Sequence, residues 1–172
     1  MPITKRGFTL VELLVVIAII GLLASVILAS LSSSRIKGRD ARRLADIRQI
    51  QNGVELYYIA NTNYPTTTAL LVSANAMPAI PVDPLGNAPY AYAALGSGTT
   101  CNSYHLGAFM ELNTTAALAT DIDAAAGTVC TSGGTDFSGL SAGTGTGVSR
   151  ACSTDTGTAA PSGTERCYDV KP

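Results

Sequence analysis

Residues 13–34 carry no charged side chain, and Lys5, Arg6, Gly7 and Phe8 lead into this run with a single carboxylate, Glu12, at its edge. About 20 consecutive apolar residues suffice to cross a bilayer, so the chain has to place a long apolar helix and also accommodate one acid within it. An ionised carboxylate in hydrocarbon costs roughly 2.5–3.5 kcal/mol on insertion scales. A secretory signal peptide explains the apolar run but not the acid, and it needs a small-residue cleavage site after the run. Ala29, Ser30, Leu31 and Ser32 supply only a poor one. Orientation is in tension. Arg35, Lys37, Arg39, Arg42, Arg43 and Arg48 follow the span and outnumber Lys5 and Arg6 before it. By the Lys/Arg bias alone, the C-terminal side would be cytoplasmic.

The helical pattern continues beyond the span. Leu44, Ile47, Ile50, Val54 and Tyr57 recur every three or four residues, with Arg43, Asp46, Gln49 and Glu55 between them. This predicts one apolar docking face and one polar, solvated face. The pattern ends at Asn61-Thr62-Asn63 and Tyr64-Pro65, because a residue before proline is pushed out of the α region. A helix over residues 8–60 would be about 80 Å long at 1.5 Å per residue, with Gly21 and Gly38 each weakening it by about 1 kcal/mol relative to alanine. The basic run 35–48 has three readings: contact with anionic lipid, contact with nucleic acid phosphates, or a solvated helix face. Asp40 and Asp46 offset part of its charge, and a net charge of −1 gives no support to nucleic acid binding. The solvated face is preferred.

From Pro65 onward the sequence reads as a head of roughly 110 residues, one small domain by usual sizes. Residues 66–71 suggest a short helix capped by threonine, and residues 78–87 are rich in turn formers. Tyr90 and Tyr92 alternate. Tyr104, Leu106, Ala108, Met110 and Leu112 alternate with His105, Gly107, Phe109 and Glu111, predicting a strand with one apolar face and His105 on its outer surface. Residues 127–172 are about half Gly, Ser and Thr, which alone would indicate a flexible linker. Cys101, Cys130, Cys152 and Cys167 argue for order in that region, as an even set in a chain expected to leave the cytoplasm. Three pairings are open, of which Cys101 with Cys130 and Cys152 with Cys167 is favoured. Residues 167–170 then form a final strand. The fold class expected is α+β, a long N-terminal α-helix packed on a small antiparallel sheet.

Catalytic chemistry finds little footing. No Cys-x-x-Cys spacing points to zinc, and a lone histidine supports neither a metal pair nor a Ser-His-Asp arrangement. Asp121, Asp123 and Asp136 are loop carboxylates of the kind that hold calcium, although their spacing does not match the regular calcium loop; a solvated acidic loop is the alternative. No enzyme activity and no other cofactor are expected.

Gly7-Phe8-Thr9-Leu10-Val11-Glu12-Leu13-Leu14 resembles the processing site of type IV pilins and type II secretion pseudopilins. The resemblance covers about the first third of the chain, and residues 83–87 followed by tyrosines resemble the head of major pseudopilins. It implies that a prepilin peptidase cuts after Gly7 and methylates Phe8, that Glu12 is an assembly residue, and that the N-terminus faces the cytoplasm. It also implies a homo-oligomeric filament, with an assembly ATPase and a membrane platform protein as partners. The subunit would be held in the cytoplasmic membrane before it enters a cell-surface or periplasmic filament. Some major pseudopilins bind calcium in their C-terminal loops. The expected organisation is a leader over 1–7, a helix over 8–60 with its membrane part at about 8–30, a head over 61–126 and a disulfide-containing region over 127–172. Pilus and pseudopilus stay undivided at this level, as does a minor initiating subunit. The alternative of a different class is a membrane-anchored extracytoplasmic binding module that does not polymerise.

Overall fold

A computed structural model describes residues 9–113, 116–123, 127–137, 139, 152 and 166–172. The leader and Phe8 lie outside the described residues. The chain forms two compact units, Met1–Lys37 and Gly38–Pro172.

Helix α1 spans Leu10–Asn61. Its start is fixed locally. The Thr9 backbone N–H and hydroxyl donate to Glu12 Oε2 at 2.9 and 2.8 Å, and the Glu12 N–H donates to Thr9 Oγ1 at 3.3 Å. This is a reciprocal capping box, which satisfies backbone donors that a helix N-terminus otherwise leaves without partners. Residues 10–28 and 30–35 are exposed on every face of the helix. Among the described residues, this is the one helix long and apolar enough to cross a membrane, judged by length and composition.

In the second unit the helix has a buried face. Ile47, Ile50 and Val54 are fully buried and share a core with Leu71, Tyr104, Leu106 and Ala108. Burying each such aliphatic group contributes about 1.5–3 kcal/mol. The sheet is antiparallel, with β1 at Ala91–Ser97, β2 at Thr100–Phe109 and β3 at Cys167–Val170 in the order β1-β2-β3. Gly98, at φ +56°, turns β1 into β2, a conformation that costs glycine little. Strand β3 pairs Leu106 with Val170 and Phe109 with Cys167. Strand β2 ends at Phe109, short of the expected 112, because Glu111 and Leu112 turn their backbone N–H groups to the carboxylate of Asp40 instead of a strand.

From Tyr104 to Phe109 both faces of β2 are buried. The second face, with His105, Gly107 and Phe109, is covered by residues from 127–172. Phe137, Cys152 and Cys167 form a small apolar cluster there, with Ala91 packed against it. A Cβ on Gly107 would lie 2.7 Å from the Phe137 ring, so glycine at this position lets the cover approach. Cys130 belongs to the main core, and Val129 bridges to Leu95. The Gly/Ser/Thr-rich region therefore supplies core residues to the head and is not a linker throughout. Disulfides join Cys101 to Cys130 and Cys152 to Cys167. Helix α2, Ala69–Ser73, follows Thr68, whose side chain makes no cap hydrogen bond. The threonine cap expected from sequence is thus replaced by backbone bonds from Leu70 and Leu71 to Thr67 and Thr68.

Candidate functional site

Of the residues singled out at the N-terminus, Gly7 and Phe8 lie outside the described residues. Glu12 sits in the first turn of α1 on an exposed face, and its described partner is Thr9. The apolar surface around it, residues 10–28, is exposed.

Among the described residues, the head contains two buried charge clusters. One is built on Arg43, which is 2% exposed. Its Nε and second terminal nitrogen bind both oxygens of Asp83 at 2.6 and 2.9 Å, and its other terminal nitrogen reaches Asp40 at 2.6 Å and Glu111 at 2.8 Å. Arg39 grips Glu111 with two further bonds of 2.6 Å. Asp83 starts the turn before Pro84 and also accepts the Leu85 N–H, so the turn and the helix are tied at one carboxylate. The Arg39 bonds, outweighing the cost of burial and reinforced by Arg43, hold Glu111 down to about 2. Tyr90 closes the cluster's edge by donating to Asp46 at 2.7 Å. Arg43 and Asp46 were expected on a solvated face. Both are buried, because the head brings carboxylates and a phenol to meet them.

The other cluster is built on His105, which is fully buried and not on the surface as expected. Its Nδ1 lies 2.8 Å from Asp136 Oδ1, its Nε2 lies 2.7 Å from Asp169 Oδ2, and its ring stacks on Phe137 with centroids 3.9 Å apart. Burial opposes the charged ring, but the bonds to Asp136 and Asp169 outweigh it and raise the His105 pKa above its ordinary value. The same bond, with backbone donors at Gly127 and Phe137, lowers Asp136 against the effect of burial. Asp136 thus serves His105 and does not join Asp121 and Asp123. The carboxylate that gathers with those two is that of Asp169, with one oxygen from each of the three within 4.8 Å of the others. Burial, then the charges of Asp169 and Asp123, push Asp121 up to about 7.

A bilayer-length apolar helix leading into a disulfide-closed α+β head defines a pilin-like protein. Residues 4–28 match the prokaryotic N-terminal methylation motif. The chain is 39% identical over 77 residues to the type II secretion system core protein G of Escherichia coli, covering 45% of this chain and 53% of that protein. It is 32% identical over 119 residues to the Vibrio cholerae protein of the same name, covering 60% and 81%. Against that of Aeromonas hydrophila it is 32% identical over 126 residues, covering 64% and 87%. The chain belongs to the type II secretion system core protein G family. The match spans about half the length of the Escherichia coli relative. No solved structure matches significantly.

Position 43 was detectable in the sequence. Arg43, Ile47, Ile50 and Val54 follow the spacing i, i+4, i+7, i+11, which puts the arginine on the apolar stripe. His105 gave no comparable signal, since what covers it lies in a region of linker-like composition.

Proposed function

We propose that this chain is a structural filament subunit of a type II secretion pseudopilus, cut after Gly7 by a prepilin peptidase and methylated on Phe8. The observation that carries the reading is a motif-matched apolar helix whose residues 10–28 are exposed on every side. Such a surface needs a bilayer before assembly and copies of itself afterwards. Head-to-tail contacts of this kind do not close, so they build helical fibres.

Glu12 acts in register. Cleavage would create a positive amine on Phe8, and opposite charges couple strongly in a low-dielectric medium. In the free subunit the Glu12 carboxylate is occupied by Thr9. Exchanging that partner for the Phe8 amine of a neighbouring subunit fixes the axial position of one helix against the next, a role for which buried ion pairs suit better than for adding stability. The leader over 1–7 stays cytoplasmic, about 8–30 spans the inner membrane, and the head lies in the periplasm. An assembly ATPase and a membrane platform protein drive polymerisation. The head supplies structure and no catalysis. Relatives that carry a secretion-system name favour the pseudopilus over a surface pilus.

The test is mass spectrometry of the N-terminal peptide from membrane and sheared-surface fractions. A methylated Phe8 terminus in membranes is expected. The same terminus abundant in the sheared fraction would move the protein to a surface pilus. An intact Met1 leader everywhere would overturn the reading in favour of an anchored module. Glu12→Ala is expected to abolish assembly while leaving membrane insertion intact.

A further inference from the structure

We propose that the outer face of the second half of α1 is a helix-docking seam, built on Ala45, Gln49, Asn52, Leu56 and Ile59, that receives the uncharged run 13–34 of a second copy of this chain. This rests on the filament reading and adds to it a particular contact. The second half of α1 has inverted polarity. A helix packed on a globular head ordinarily turns its charges to solvent and its apolar residues inward. Here Asp40, Arg43 and Asp46 are buried, because the head meets them with Asp83, Glu111 and Tyr90. The opposite side keeps Ala45, Gln49, Asn52, Leu56 and Ile59, all exposed and none charged. Leu56 and Ile59, at 55% and 76%, are the most exposed large apolar side chains of the second unit among the described residues.

The spacing of these residues points to another helix as the occupant. Alternating steps of four and three from Ala45 to Ile59 keep all five within about 80° of one another around the helix, at 100° per residue. This is the 3.5-residue repeat of a seam that packs against a second helix at a shallow angle. Arg48 and Glu55 stand one position before Gln49 and Leu56, at the rim, where charges flank such contacts without entering them.

The first half of a second copy's α1 has a face that fits. It is helical and uncharged from 13 to 34, so it brings no unpaired charge into the seam. Ala18, Gly21, Ser25 and Ser32 recur on one side of it at the same kind of spacing, and small residues let two helix backbones come close. A Cβ on Gly21 would have nothing within 4 Å, which leaves room for a side chain from a neighbour. One stagger sets Ala45 over Ala18, Asn52 over Ser25 and Ile59 over Ser32. The Ser25 hydroxyl donates to the Leu22 carbonyl at 2.8 Å, and its oxygen can still accept an N–H from Asn52. A polar residue in such a seam fixes the register, because any other alignment leaves its amide among apolar groups. Seam and run come from different parts of one helix, so each copy gives its run to one neighbour and its seam to another. Such a contact does not close and repeats along a fibre.

The test is photo-crosslinking of the full-length chain in cells that carry its secretion apparatus. A benzophenone amino acid is placed at position 56, or at position 16 as a reference, and the captured residues are read by mass spectrometry. Position 56 is expected to capture a second copy of this chain between residues 25 and 34. Ile59→Glu should lower that capture at least about tenfold, since it drives a carboxylate into an apolar contact. It should leave the urea midpoint of the head unchanged, because Ile59 is exposed. Ser25→Leu, on the receiving face and outside the head, should lower capture in the same way. If position 16 captures another copy while position 56 captures none, captures residues 45–59 of the second copy, or captures a different protein, the seam is overturned and the filament reading stands. Capture at position 56 that neither variant weakens would overturn the seam as well. No capture of another copy from either position would overturn the filament reading and the seam with it.

Discussion

The Arg43 and His105 clusters solve the same problem with different side chains. Each buries a nitrogen-rich group among carboxylates, and each ties together segments distant in sequence. Around Arg43 the cation is a guanidinium that stays charged at any pH a protein survives, and its fork matches Asp83 in a two-point grip while reaching Asp40 and Glu111. Around His105 the ring nitrogens meet Asp136 and Asp169 at 2.8 and 2.7 Å. The helix-facing side of the head is thus fastened through an arginine, whereas the outer side, which carries β3, is fastened through a histidine and the Cys152–Cys167 disulfide. Buried ion pairs are weak evidence of added stability, but removing one partner is costly because the other charges stay buried.

That contrast is broken most severely at Arg43. Arg43→Met is expected to cost about 3–5 kcal/mol, since Asp40, Asp83 and Glu111 would remain without their central cation. Urea unfolding of the full chain in mild detergent reads it. Arg43→Lys should recover only part of the loss, because an ammonium cannot form the planar double bond to Asp83. A loss below about 1 kcal/mol for the methionine variant would show that the carboxylates find water or protons at little cost, against the burial argument.

On the outer side, replacing Cys152 and Cys167 together by serine should cost about 3 kcal/mol, from the loop of 15 residues that the bond closes. Exchange protection should fall at β3 before it falls at Ile47 and Ile50. Equal loss at both places would mean that the two sides open as one unit. Gly107→Ala is expected to cost about 1–3 kcal/mol by overpacking, because the added methyl meets Phe137. The effect should be the same at pH 6 and pH 9 if it acts through packing alone.

Acid gives a signature of its own. Glu111, held at about 2 against an ordinary 4.5, contributes stability that is fully present above pH 4.5 and is lost as pH falls from there toward 2. Acid unfolding of the wild type should therefore steepen in that window, and Glu111→Gln should flatten it. A variant with an unchanged acid limb would remove Glu111 from the account.

The two sides also differed in how much the sequence disclosed. The apolar run, the stripe of Ile47, Ile50 and Val54, and the alternation along β2 are periodic, and periodicity is local information. The helix, the docking face and the α+β class follow from it. Two of the three carboxylates around Arg43 come from positions 83 and 111, and no local pattern brings them to the helix. Burial of His105 was further from view. The face it occupies alternates correctly for solvent, and it is covered by a stretch rich in Gly, Ser and Thr in which Phe137 was the available hint. Asp136 was grouped with Asp121 and Asp123 because it is near them in sequence. Strand β3 instead places Asp169 beside those two and leaves Asp136 to His105.

The smallest effect expected is also the sharpest test of the comparison. Arg42 adjoins Arg43 in sequence and has the same chemistry, but a step of one residue turns it about 100° around the helix, away from the stripe. Its side chain is 63% exposed, and it meets Asp46 at 3.8 Å across one helical turn. Exposed pairs at this spacing are worth about 0.3–0.5 kcal/mol. Arg42→Ala should therefore change stability by no more than about 0.5 kcal/mol and lose even that at high salt, where screening is short-ranged. Measured beside Arg43→Met in the same urea series, the pair isolates position from chemistry. Comparable losses at 42 and 43 would mean that the cost follows removal of any arginine from the basic run. A gap of several-fold would assign it to the buried stripe.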